Sequence, residues 1–166
     1  FKNKPNEDLS GINLIELEHN GCVQTSDEEL IAINNKINYL IQNCFLIFNN
    51  KKKEITYKDF IIVSPYNAQV NYLKATLGSE FNIGTVDKFQ GQEAPITIIS
   101  MTSSTVEDAP KGIEFLLNEN RLNVAISRAQ VAVFLFCAKG LFNAVGKSIK
   151  QMQLINKFCQ IKKYIN

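Results

Sequence analysis

The sequence predicts a three-layer α/β domain, with a mostly parallel central sheet of about five to seven strands flanked by helices. Apolar, β-rich runs alternate with helical patterns along the whole chain, and no repeat or linker interrupts them. The 166 residues are the size of one ordinary domain, and 45% apolar with 10% aromatic residues suffices to fill a single core.

Residues 12–18 read as the first strand. Ser26 and Glu29 have the spacing of a capping box and open a helix that carries Leu30, Ile33, Ile37 and Leu40 on one face. Residues 49–53, two asparagines and three lysines, read as a surface loop. Residues 60–64 form a buried strand that stops at Pro65, and Val70, Leu73 and Leu77 mark a helix closed by Gly78. Residues 81–86 and 94–102 are strands with a polar segment, 87–93, between them. A helix is expected over 116–129, a central strand over 131–138, and a long final helix over 141–165. The apolar stripe of that last helix is Leu141, Val145, Ile149, Met152, Ile155 and Phe158, and its polar face carries Lys147, Lys150, Lys157, Lys162 and Lys163 with no acid. Strands 60–64 and 131–138 are expected in the interior of the sheet.

Composition narrows the function classes. The chain begins at Phe1 and its first ten residues are polar, so a secretion signal is not expected and a longer parent protein is. The apolar runs fall well short of the roughly 20 residues of a membrane helix, so no membrane partner is expected and the setting is cytoplasmic or nuclear. Cys22, Cys44, Cys137 and Cys159 lie far apart without a C-x-x-C pair, and His19 is the one histidine; neither a disulfide framework nor a metal site is expected. Residues 1–60 carry seven lysines against nine acids, whereas 61–166 carry eleven basic residues against seven acids, a weak pointer to a polyanion.

In open α/β sheets ligands bind at the carboxyl ends of strands, which directs attention to the loops after Ser64, Val86 and Thr102. Gly140 to Ser148 looks like a phosphate-binding P-loop, but five residues separate its glycines where that loop has four, and its apolar residues fit a helix stripe. Three other segments are better candidates. Ser64-Pro-Tyr66-Asn67 places a hydroxyl, a helix start and an aromatic ring together, able to hold a phosphate and stack a base, or simply to make an ordinary turn. In the segment 84–93, Thr85 supplies a hydroxyl, Gly91 lets a ligand approach the backbone, and Glu93 can accept bonds from ribose hydroxyls. In the segment 120–129, seven residues of helix bring Arg121 and Arg128 to nearly the same face, where two guanidinium groups can meet phosphoryl oxygens.

The strings TVDKFQGQE and NRLNVAISRA, preceded by VSPYNAQ, resemble motifs V, VI and IV of superfamily 1 helicases in the Upf-like 5′→3′ branch. The resemblance covers residues 59–138, and the first sixty residues match only loosely. It implies a RecA-like fold and the second of two motor domains that close on ATP. By motif position it implies that Arg121 is the arginine finger on the γ-phosphate and that Gly91, Glu93 and Arg128 contact nucleotide. Ser64, Tyr66 and Thr85 fall on the nucleic-acid side. It further implies ATP and Mg²⁺ as cofactors of the whole protein, held mainly by the first RecA-like domain of the same polypeptide, and no tight binding by this chain alone. Single-stranded DNA or RNA is the implied partner, and residues 107–110 also resemble proteins in which this motor is joined to a RecB-like nuclease. Two other readings remain open at this point: a self-contained P-loop NTPase using Gly146, Lys147 and Ser148, and a nucleic-acid-binding module without ATPase function.

Overall fold

The computed structural model describes residues 8–48 and 51–164. The polar opening residues 1–7, the loop residues 49 and 50, and the expected helix end at residue 165 lie outside them.

The elements in chain order are β1 (Gly11–Leu17), α1 (Asp27–Asn43), β2 (Phe45–Phe48), β3 (Lys51–Glu54), β4 (Phe60–Val63), α2 (Asn67–Leu77), β5 (Asn82–Gly84), β6 (Ala94–Ser100), α3 (Ile113–Leu116), α4 (Glu119–Ile126), β7 (Ala129–Ala138) and α5 (Ile149–Tyr164). Among the described residues five strands form one sheet in the order β1-β7-β6-β4-β5, every pair parallel. The expected interior strands are interior: β7 lies between β1 and β6, and β4 between β6 and β5.

The strands are apolar on both faces because helices cover both. On one face Phe60, Ile62, Ile96, Ile98, Phe134 and Phe136 pack with Leu30, Ile33, Ile37 and Leu40 of α1 and with Val70 and Leu73 of α2. On the other, Ile61, Val63, Ile99, Val133, Leu135 and Cys137 pack with Ile113 and Leu116 of α3, Ala125 of α4, and Ile155 and Phe158 of α5. The alternation of neighbouring residues between these two sets is the period of the β-strand, and it yields the three layers. This is the RecA-like arrangement that the sequence resemblance implies.

Several expectations are corrected. Residues 51–53 are not loop but strand β3, paired antiparallel with β2 in a hairpin outside the main sheet. Lys53 Nζ meets Asp59 Oδ1 at 2.5 Å and ties this hairpin to the turn before β4. The single helix expected over 116–129 is two, because Asn118 caps a new helix by accepting the Arg121 N–H at 3.1 Å, and the chain leaves it at Ser127. The final helix begins at Ile149, since residues 139–143 form a 3₁₀ turn. Leu141, Ile155 and Phe158 are buried as the stripe requires, but Val145, Ile149 and Met152 are 76%, 74% and 47% exposed. Nor is the lysine face of α5 free: Lys150 pairs with Glu114, Lys157 with Glu119, and Lys162 with Glu16. These pairs lay α5 along α3, α4 and β1.

Candidate nucleotide and nucleic-acid site

The parallel strands deliver their loops to one edge of the sheet, and there a polar network is buried. Ser26 caps α1 as expected, accepting the Glu29 N–H at 3.1 Å. Glu29 does not complete the box; its side chain turns inward, fully buried, because the backbone N–H of Ser26 is already bonded to Gln69 Oε1 at 3.0 Å. The Glu29 carboxylate accepts the Ser100 hydroxyl at 2.5 Å and the Thr102 N–H at 3.0 Å. Burial pushes its pKa up, against the opposing pull of His19, Ser100 and Thr102. Thr102 has φ 70°, a left-handed backbone that a β-branched residue rarely adopts, and the Glu29 bond holds it there.

Ser64 belongs to this network. Its hydroxyl lies 3.0 Å from Thr102 Oγ1 and the residue is fully buried, so in this conformation it supports the edge from inside and presents nothing to a strand. Tyr66 is 3% exposed, with its hydroxyl 3.3 Å from Ser103 Oγ and its ring 5.9 Å from that of Phe115. Its ring therefore has no free face for a base. Tyr66 occupies the N-cap of α2.

A cavity of about 160 Å³ opens beside these residues. Pro65, Thr85, Asp87, Lys111, Phe115 and Arg121 line its mouth, over a floor that includes Val63, Ile99 and Met101. Arg121 Cζ sits 4.3 Å from the Phe115 ring centroid and Lys111 Nζ 4.6 Å from the same centroid. Among the described residues neither cation has a carboxylate within 4.0 Å. The cavity thus offers two cations, the Thr85 hydroxyl and one carboxylate, a combination suited to a phosphate or another anion. Lys111 and Phe115 escape the sequence reading because they come from the short α3 and its approach, whose spacing carries no signal.

Arg121 and Arg128 do not converge. Since the helix ends at Ile126, Arg128 leaves its face and lies just before β7, roughly 10 Å along the axis from Arg121. Arg128 instead reaches the 90–93 loop: Nη1 donates to Gln92 O at 3.4 Å, Nε to Val124 O at 3.1 Å, and Nη2 to Ser127 Oγ at 3.2 Å. In that loop Gly91 has φ 78°, and a Cβ there would meet nothing within 4 Å. Glu93 is exposed and accepts from Gln130 Nε2 at 3.4 Å. The structure therefore sorts the expected residues into two groups, Thr85 with Arg121 at the cavity, and Gly91, Glu93 and Arg128 at the other end of α4.

The P-loop lookalike forms no cradle. Gly140 is pressed against the backbone of the segment after β6, where a Cβ would lie 2.5 Å from Ser104 O. The Lys147 N–H is bonded to Gln151 Oε1 at 2.9 Å and Ser148 Oγ accepts the Gln151 N–H at 3.2 Å, so the Lys147 amide and the Ser148 hydroxyl already have partners within the chain.

Among the described residues no helix is long and apolar enough to cross a membrane. A family profile described as an AAA domain matches residues 4–140. The chain is 30% identical over 103 residues to the RNA helicase Mov10l1 of Mus musculus, covering 58% of this chain and 9% of that protein. It is 36% identical over 107 residues to an uncharacterized ATP-dependent helicase of Caenorhabditis elegans, covering 63% and 6%. To the DNA polymerase alpha-associated DNA helicase A of Schizosaccharomyces pombe it is 42% identical over 74 residues, covering 43% and 11%. The chain spans about a tenth or less of the length of these relatives.

Proposed function

Because the chain belongs to the AAA domain family of superfamily 1 helicases, we propose that it is the second motor domain of an ATP-dependent DNA or RNA helicase. In this reading the first RecA-like domain supplies the phosphate cradle and the ligands of Mg²⁺. The present chain closes on the nucleotide and carries part of the single-strand path.

The observation that carries the residue assignment is the bond from Arg128 to Gln92 O, which joins the second motif arginine to Gly91 and Glu93. We assign the contact with the γ-phosphate to Arg128 and revise the expectation for Arg121. Three of the five guanidinium N–H donors of Arg128 hold it against neutral oxygens, which fixes the side chain without neutralising it and leaves two donors for a phosphoryl oxygen pair. Glu93, exposed beside it, accepts from a ribose hydroxyl in this reading. Arg121, with Lys111 and Thr85, takes a phosphate of the strand in the cavity.

The test compares Arg121→Ala with Arg128→Ala in the whole helicase, following ATP hydrolysis at saturating strand and strand binding separately. Arg128→Ala should lower kcat by about 10³ to 10⁵ with little loss of ATP affinity. Arg121→Ala should keep turnover within a few-fold, while weakening strand binding and lowering its salt dependence by about one counterion. The reverse pattern would restore Arg121 as the finger. Full turnover in both variants would remove the motor role from both arginines.

A further inference from the structure

The fold brings together three ligand-type side chains that their sequence positions leave inconspicuous. One ring nitrogen of His19, the Cys22 Sγ and a Glu28 carboxylate oxygen all lie within 4.8 Å of one another, between the end of β1 and the first turn of α1. We propose that His19, Cys22 and Glu28 form a binding site for a zinc-class divalent metal ion. This lies apart from the nucleotide and strand groups assigned above.

Three observations support it. Cys22 Sγ and Glu28 Oε2 are 3.5 Å apart. Zinc bonded to sulfur at about 2.3 Å and to oxygen at about 2.1 Å in a tetrahedron would set them about 3.6 Å apart, so these two groups stand at bonding geometry already. The His19 side chain is fully buried, its Nδ1 is held 2.8 Å from Ser104 Oγ, and its Nε2, which makes no hydrogen bond of good geometry, lies 3.4 Å from Glu29 Oε1. Ser104 on one side and Glu29 on the other fix the orientation of the ring, as polar neighbours orient a metal-binding histidine. The same Ser104 hydroxyl accepts the Cys22 N–H at 2.9 Å, and Ser104 N donates to Cys22 O at 2.9 Å, so the loop that carries the thiol is held in place.

Binding replaces the Cys22 S–H bond with a sulfur–metal bond and releases one proton to water, with no change of oxidation state. The thiolate and the Glu28 carboxylate together neutralise a dication, and a water molecule completes four-coordination. Because the thiol gives up its proton on binding, affinity should fall as the pH is lowered. The ion would fasten the β1–α1 loop to the first turn of α1.

The experiment titrates the 166-residue chain with Co²⁺ and then Zn²⁺, following the thiolate-to-cobalt charge-transfer absorbance and the ¹⁵N signals of the imidazole, which are unambiguous with one histidine in the chain. The expected result is one equivalent bound, a charge-transfer band that zinc displaces, and a zinc-dependent shift of the His19 ring. Cys22→Ser should abolish the band, and Glu28→Gln should weaken zinc by about tenfold or more. Both residues are outside the buried core, so the variants fold. A band that persists in Cys22→Ser would place the metal on another cysteine and overturn the proposal, as would zinc binding with an unmoved imidazole or with undiminished affinity in Glu28→Gln. Absence of any band would overturn it outright.

Discussion

Replacing Tyr66 by Phe deletes one hydroxyl, whose partner is Ser103 Oγ at 3.3 Å, and leaves the ring against Phe115. Tyr66→Phe should therefore lower stability by about 0.5 to 1.5 kcal/mol in urea denaturation, with strand affinity unchanged. A strand-affinity loss in Tyr66→Phe without a stability loss would return the hydroxyl to the nucleic-acid surface. The residue types in Ser64-Pro-Tyr66 were legible in the sequence, but their direction was not. A tyrosine after a strand can face solvent or core, and here the deciding contact, Phe115, lies 49 positions later. Glu29 is a parallel case. Its spacing from Ser26 predicts a local cap, yet Gln69 takes the amide it would have bonded, and Ser100 and Thr102 draw the carboxylate inward.

Between the strands, the 90–93 loop and α4 act as a pair. Gly91 stands at φ 78° over open space, so Gly91→Ala would clash with nothing and suffer only the backbone penalty, about 1 to 2 kcal/mol. Thermal or urea unfolding checks this, and a much larger loss would mean that the loop repacks. Helix existence was legible where i, i+3 and i+4 spacing marked α1, α2 and the later part of α5, but not for the short α3. Boundaries were less so. The stripe of the last helix was drawn too far toward its start because Val145, Ile149 and Met152 have the right spacing but no sheet beneath them. The same error brought Arg121 and Arg128 onto one face, since a capped restart at Asn118 and an exit at Ser127 shorten α4 to eight residues.

For the molecule as a whole, the buried carboxylate makes stability depend on pH. Burial holds Glu29 above its ordinary value, so the folded chain binds that proton more tightly than the unfolded chain does. Its contribution is complete below the ordinary carboxylate value and is lost as pH rises from there through the raised folded value. Glu29→Gln cannot ionise and keeps an oxygen for the Thr102 N–H; relative to the parent chain it should gain stability as the pH climbs. Unfolding midpoints of both proteins from about pH 4 to about pH 8 test this, and a constant difference would show that Glu29 titrates alike in both states. At this scale the sequence was most legible: alternating strands and helices gave the parallel sheet, and continuous apolar runs marked β4 and β7 as interior.

The position of β1 bears on how the chain is made. Gly11 pairs with Ala132 and Leu17 with Ala138, so the earliest strand of this sheet in chain order bonds only to the latest one. Until β7 emerges, β1 has no partner in the sheet, and its half-buried residues must wait through more than a hundred further residues of synthesis. At about 5 to 20 residues per second that interval is several seconds or longer, ample time for a newborn strand to need shielding from its neighbours.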